Sequence, residues 1–166
     1  MTLTTRSALA SLTVLCLAAP AAAQNAQEID DAITMLEEEF GSDALQDPTD
    51  IFTWVTFPHA LKVGEVAPLE VTIENARAEG AFRLSSIDLG DGFLDGFEVA
   101  GFDPEPRQQD HSLGTLTLEY PLDIPADGKR TFVVKLRATK AGTFIGDVDV
   151  YEGARFLTRV AQARVK

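Results

Sequence analysis

The chain has 166 residues, with 26 acidic and 14 basic side chains and a formal net charge of −12. This length suits one domain with a single core and is short for two. Because phosphate recognition needs clustered Lys and Arg, the charge excludes nucleic acid as an expected partner and disfavours direct lipid binding.

Residues 1–23 have the features of an export signal. Arg6 is the only charge, residues 7–19 are uncharged and mostly apolar, and the alanines that end at Ala23 offer a cleavage site. We therefore expect a periplasmic or secreted protein, with an uncleaved membrane anchor as the alternative. The only cysteine, Cys16, lies in this segment, so the mature chain has no thiol for a disulfide, a nucleophile or a metal site.

Residues 24–49 are predicted to form an acidic helical segment, since nine acids and no Lys or Arg occur between residues 24 and 50. Apolar side chains at intervals of four, three and four residues indicate one seam of an amphipathic helix: Ile29, Ile33, Leu36 and Phe40. A short helix of this kind is marginal alone. It folds onto its own domain, remains a frayed tail or docks on another protein, and these alternatives stay open.

Residues 50–166 have the pattern of strands. Leu69, Val71 and Ile73 alternate with polar side chains in the stretch 63–75, which is the period of a half-buried strand. Similar runs are separated by turn residues at roughly every 8–12 positions, and no helix-length periodicity follows residue 50. The prediction is an all-β, immunoglobulin-like antiparallel sandwich of seven or eight strands.

Three stretches together resemble a known class of module: V-G-E…L-E-V-T-I-E-N, then D-G-F, then I-P-A-D-G-K-R-T-F-V-V-K-L-R-A-T-K-A-G-T-F. They are similar to the bacterial extracytoplasmic immunoglobulin-like modules of the CARDB and DUF11 kind, over about residues 60–152. The resemblance implies a seven-stranded sandwich used for adhesion, spacing or protein contact, and it implies no catalytic or ligand residue. Those modules usually occur as repeats, and the acidic helix is not part of their pattern.

Few residues suggest chemistry. Asp110, His111 and Ser112 are adjacent in a predicted polar loop, and three neighbours in one loop do not supply the geometry of a catalytic triad. Two dispersed histidines do not suggest a zinc or copper site. We therefore expect no enzyme and no cofactor. Carboxylates in the glycine-rich stretch 88–106 are weak calcium candidates, because Gly with Asp is also ordinary turn chemistry; they are Asp88, Asp91 and Asp95.

Further partner-binding candidates lie in the glycine-rich stretch and in the basic last strands. Phe93 and Phe102, in the glycine-rich stretch, would form an apolar patch if both were exposed. Residues 129–166 hold nine bases against three acids, whereas residues 62–128 hold 14 acids against four bases. Arg155 and Arg159 are therefore candidates for a basic face that meets an acidic partner or this protein's own acidic helix, with pairing inside the sheet as the alternative. Trp54 lies in a predicted strand and is expected in the core.

These observations predict a non-catalytic exported protein-interaction module, an accessory subunit of an envelope or membrane protein complex. The alternative is a carbohydrate- or calcium-dependent adhesion module. A sugar-binding module would expose Trp54 and Tyr151 together, as part of a line of aromatic rings on one sheet face.

Overall fold

The computed structural model describes residues 48–166, which form two β-sheets stacked face to face. Ten strands and one short helix follow in chain order: β1 Ile51–Thr56, β2 Ala60–Leu61, β3 Val66–Asn75, β4 Phe82–Gly90, α1 Asp91–Leu94, β5 Phe97–Asp103, β6 Gln108–Ser112, β7 Thr115–Ile124, β8 Gly128–Ala138, β9 Gly142–Glu152 and β10 Arg155–Val165. Within this part of the chain, no helix has the length and apolar character needed to cross a membrane.

The four-stranded sheet has the order β1-β3-β8-β5 and is antiparallel throughout. Its centre is the predicted strand, which begins at Val66 rather than Val63. Leu69 and Val71 are fully buried and lie opposite Val134 and Phe132 of β8. Burying a side chain of this size contributes about 1.5–3 kcal/mol. The alternation read from the sequence therefore identified the inner face of this sheet correctly.

The six-stranded sheet has the order β2-β10-β9-β4-β7-β6. Strands β9 and β10 pair over eleven positions through a tight turn at Gly153, whose φ of 62° favours glycine. Strand β2 is the exception to antiparallel pairing, because it runs parallel to β10. The chain thus leaves the four-stranded sheet after β1 and joins the six-stranded sheet at β2. This change of sheet brings the first and last strands of the sandwich side by side.

The glycine-rich stretch after β4 returns an aromatic side chain to the core. The short helix α1 turns Phe93 between the sheets, where it is 1% exposed. Its ring stacks on Phe97 at 5.0 Å and meets Phe57 edge-on at 5.3 Å between centroids. A Cβ at Gly146 would lie 2.6 Å from the Phe93 amide nitrogen, so the glycine makes room for this approach. The prediction that Phe93 belongs to an exposed patch is therefore wrong.

The predicted all-β, immunoglobulin-like sandwich is confirmed, with ten strands instead of seven or eight. Two elements account for much of the difference. Strand β2 has two residues, and β6 occupies the predicted polar loop with every side chain exposed. Such strands carry no apolar alternation, so the sequence gives no period to detect. The predicted signal, the acidic helix and its four apolar residues lie outside the described residues.

Candidate protein-interaction surface

One side of the sandwich is left open by its first and last strands. Within the described residues, β1 pairs only with β3, and the outer edge of β10 pairs only with β2, at Arg164 and Val165. The segment from β1 to β2 runs alongside β10, with Thr53 beside Arg159 and Ala60 beside Arg164. We call residues 51–57 together with residues 156–162 the β1–β10 seam.

The registers show which backbone groups face this seam. The Arg164 N–H donates to the His59 carbonyl, so the backbone N–H and C=O groups of the even-numbered β10 residues point away from β9. The Ala76 N–H donates to the Asp50 carbonyl, so the even-numbered positions of β1 have their backbone groups toward β3. The backbone N–H and C=O groups of the odd-numbered β1 residues therefore point away from β3. The backbone groups that face the seam belong to Ile51, Thr53, Val55, Phe156, Thr158, Val160 and Gln162.

Arg159 bridges the two open edges. Its Nε–H donates to the Thr53 carbonyl oxygen at 2.9 Å, and its Nη1–H donates to the Thr158 carbonyl oxygen at 2.6 Å. A guanidinium carries five N–H donors, and Arg159 has no carboxylate partner within residues 48–166. Beside it, Thr53 is 3% exposed and its Oγ1 has no hydrogen-bond partner in the described part of the chain. Within residues 48–166, the seam therefore holds a positive charge without a carboxylate partner and a buried hydroxyl without a hydrogen-bond partner.

The rim of the seam exposes large apolar side chains. On β1, Phe52 is 49% and Trp54 is 45% exposed, with ring centroids 6.3 Å apart. The Lys129 ammonium lies 4.8 Å from the centre of the Trp54 ring, a cation–π contact. On β10, Phe156 is 44% and Val160 is 60% exposed. These two strands contribute four of the eight large apolar side chains that are exposed in residues 48–166.

The expectation that Trp54 is a core residue is wrong. Strand β1 alternates, and Ile51 and Thr53 take the inner positions, so Phe52 and Trp54 point outward. Apolar side chains occupy both faces of this strand, so its sequence does not show which face is buried. The polar residue between Phe52 and Trp54 is Thr53, and its polarity would place it on the outer face. It misleads because Thr53 lies on the inner face.

The aromatic line expected of a sugar-binding module does not form. Trp54 lies on the outer face of the four-stranded sheet, whereas Tyr151 lies on the outer face of the six-stranded sheet. The Tyr151 ring stacks on Phe156 at 5.1 Å between centroids and is partly buried. Trp54 and Tyr151 therefore cannot face one flat ligand together.

The three calcium candidates are not brought together. Asp91 accepts from His111, Asp95 pairs with Lys140, and Asp88 lies opposite Asp149 in the six-stranded sheet. In residues 48–166, no group of three or more Asp, Glu, His or Cys side chains is placed to hold a metal ion. The calcium hypothesis for these residues is therefore wrong, because the carboxylates take separate partners. Phe102, on β5, is half-buried against the core and is not part of an exposed aromatic patch.

A cleft lies at the opposite side of the sandwich from the seam, between β5, β6 and α1. His111 Nε2 and Asp91 Oδ1 are 2.5 Å apart in its wall, which also includes Leu94 and Phe97. No hydroxyl side chain lines the cleft. Ser112 instead donates to Asp110 at 2.7 Å, because neighbouring residues of a strand point to opposite faces. The adjacent Asp110, His111 and Ser112 therefore do not assemble a triad.

Arg155 belongs to an internal ion-pair network. Its guanidinium and that of Arg77 both bind Glu152, at 2.5 and 2.8 Å, and the Arg83 N–H donates to the same carboxylate. Burial by itself raises the pKa of Glu152, but the hydrogen bond from Arg77, the Arg83 N–H and the two positive charges together hold this pKa below its ordinary value. Arg155 is thus engaged within the domain, as the alternative of pairing inside the sheet describes, whereas Arg159 has donors without a partner among the described residues.

No protein-family model matches the chain, and no curated protein matches it in sequence. Among solved structures it is similar to the CARDB domain of PF1109 from Pyrococcus furiosus, at 13% identity over 70% of this chain and 88% of that chain, with a TM-score of 0.46. It is also similar to the sulfur carrier protein SoxY from Chlorobium limicola, at 20% identity over 85% and 98% of the two chains, with a TM-score of 0.38. A cohesin module from a Clostridium perfringens family 33 glycoside hydrolase covers 72% of this chain at 10% identity, with all of that chain matched and a TM-score of 0.45. These similarities concern the fold alone and carry no function to this chain.

Proposed function

We propose that the protein is a non-catalytic, exported protein-interaction module that serves as an accessory subunit of an envelope or membrane protein complex. The observation that supports this proposal is the rim of the β1–β10 seam. Phe52 and Trp54 expose apolar surface on the outer face of the four-stranded sheet, and Phe156 and Val160 do so on the outer face of the six-stranded sheet, on either side of the seam. Exposed apolar surface of this kind, next to polar backbone, is typical of protein-binding sites.

A binding role suits the chemistry of this surface better than catalysis. The seam contains one charged side chain, Arg159, and no candidate nucleophile beside a base. In the cleft across the sandwich, His111 has a carboxylate neighbour but no hydroxyl. Aromatic side chains are frequent energetic centres of protein interfaces, so Trp54 and Phe52 are expected to dominate binding.

The test is affinity capture from envelope extracts with the mature protein. Wild type is expected to recover one envelope protein reproducibly, and the double variant Phe52→Ser, Trp54→Ser is expected to lose at least 90% of it, since truncating an interface centre costs about 2 kcal/mol or more. The matched control is Leu113→Ser, which removes another exposed apolar side chain from the turn between β6 and β7.

Equal recovery by wild type and the double variant would show that the seam rim is not the binding site. Deleting residues 24–46 in a separate arm tests the acidic segment. Loss of the partner in that arm alone would move the site from the seam to the predicted helix.

A further inference from the structure

The two open sides of the sandwich differ in how their edges are protected. At the β5 and β6 side, β5 has a bulge between Val99 and Gly101, Pro104 and Pro106 follow it, and β6 is wholly polar. Bulges, prolines and polar residues are the usual means by which proteins prevent a further strand from pairing. Along the seam, by contrast, β10 is regular over its whole pairing with β9 and contains no proline. In the part of the chain that the structure describes, the seam side is therefore the edge that remains open to strand addition.

The open backbone of β10 is long enough for a pairing strand. Residues 156–162 span about 23 Å at ~3.3 Å per residue. The N–H and C=O groups of Phe156, Val160 and Gln162 face outward, as does the N–H of Thr158, so a seven-residue strand would find a nearly complete ladder. Beyond this stretch the position is occupied by β2, which shows that β10 accepts a parallel neighbour on this edge.

The chemistry inside the seam favours an acidic side chain on that strand. Arg159 is on the inner face of β10, and among the described residues only two of its donors are used, both by backbone carbonyls. Thr53 Oγ1 is buried beside it with no hydrogen-bond partner within residues 48–166. A carboxylate has two oxygen atoms that accept hydrogen bonds, so one Asp or Glu can accept from the guanidinium and from the hydroxyl at once. No carboxylate of the described chain takes this role.

We infer that the β1–β10 seam binds an extended, acidic segment of a partner protein by β-augmentation. The segment pairs with the open edge of β10, and one of its carboxylates binds Arg159. This inference rests on the proposed interaction function and adds the conformation and charge of what is bound. Main-chain pairing supplies affinity in this recognition mode, and the side chains that enter the seam supply specificity.

The experiment adds a strand to the intact mature chain. A flexible Gly/Ser linker of about 10 residues after Lys166 carries the strand Thr-Val-Thr-Glu-Thr-Val-Thr, which raises its effective concentration to the millimolar range. Amide hydrogen exchange is measured by NMR. The expected result is at least tenfold slower exchange at the Phe156, Val160 and Gln162 amides than in a control chain whose strand is Thr-Pro-Thr-Glu-Thr-Pro-Thr.

Two further comparisons test the charge. Replacing the strand's Glu by Gln is expected to reduce the protection at least threefold without altering the domain itself. Arg159→Met is expected to reduce the protection by at least the same factor. Arg164→Met is the matched control on the same strand, because the Arg164 N–H already donates to the His59 carbonyl, immediately before β2. Exchange equal to that of the proline control would overturn strand addition, and equal protection by the Glu and Gln strands would overturn the acidic preference. If either occurs while envelope capture still depends on Phe52 and Trp54, the interaction function stands and this inference fails alone.

Discussion

Replacing Thr53 by valine isolates the cost of the unpaired hydroxyl in the seam. Thr53 lies on the inner face of β1, 3% exposed, and its Oγ1 has no hydrogen-bond partner within the described residues. Its backbone carbonyl is already bound by Arg159, and the substitution leaves that contact in place. Valine keeps the branched shape and high strand propensity of threonine, so the change consists mainly of one hydroxyl replaced by one methyl group.

The magnitude follows from the burial of a polar group without a partner. Such a group costs about 1–3 kcal/mol relative to an apolar atom in the same place. Because water entering the seam would recover part of that cost, we expect Thr53→Val to raise the free energy of unfolding by about 1–2 kcal/mol. For a chain of this size, that corresponds to a rise of roughly 2–8 °C in Tm.

Urea unfolding followed by Trp fluorescence measures this free energy, and thermal unfolding followed by circular dichroism gives Tm. Thr72→Val is the matched control, because it makes the same chemical change at an exposed hydroxyl that bonds Thr131 at 2.9 Å. It is expected to change stability by no more than about 0.5 kcal/mol. A loss of stability in Thr53→Val larger than in Thr72→Val would show that the buried hydroxyl has a partner, and the reasoning would be refuted.

Three other changes test the ion pair at Glu152, the facing carboxylates of Asp88 and Asp149, and the core. Glu152→Gln is expected to lower the free energy of unfolding by about 2 kcal/mol at pH 7. Because the pKa of Glu152 is depressed in the folded protein, the difference from wild type should shrink as pH falls below about 4.5. A difference in urea unfolding that does not depend on pH would contradict the pairing with Arg77. Asp88→Asn is expected to raise the free energy of unfolding at pH 7 by a few tenths to ~1 kcal/mol, since burial and the facing Asp149 raise the pKa of Asp88. The gain should vanish once acid protonates Asp88, and no gain at pH 7 would show that the charge of Asp88 does not destabilise the fold. Phe93→Ala should cost about 3–5 kcal/mol in the same assay, whereas a cost below 1 kcal/mol would mean that the ring is not a core element.

Much of the fold could be predicted from the sequence, because its strongest signal is local. Leu69, Val71 and Ile73 alternate with polar neighbours, and a period of two has only one structural interpretation when one face must be buried. The glycine-rich stretch was less informative, since turn residues and a helix of four residues share the same composition. Phe93 is buried because its short helix happens to enter the space between the sheets, and no local pattern records that.

The sequence predicted one residue of the candidate site, Arg159, but the structure gives a different reason for its role. Charge counting pointed to Arg155 and Arg159 together, yet Glu152 engages Arg155, and within residues 48–166 only backbone carbonyls engage Arg159. Net charge along the chain does not distinguish them, since pairing depends on which strands become neighbours. The apolar side of the acidic helix stays a prediction, because its residues lie outside the described part of the chain: Ile29, Ile33, Leu36 and Phe40.

The sequence alone determined the class of the domain, through the period of its apolar side chains and the turn residues between them. The tertiary structure decided which edges remain open. Thr53 and Arg159 met because the chain leaves one sheet after β1 and joins the other at β2 beside β10. That juxtaposition joins residues more than 100 positions apart. Local alternation fixes which way a side chain points from its own strand, and only the order of strands fixes what it meets there.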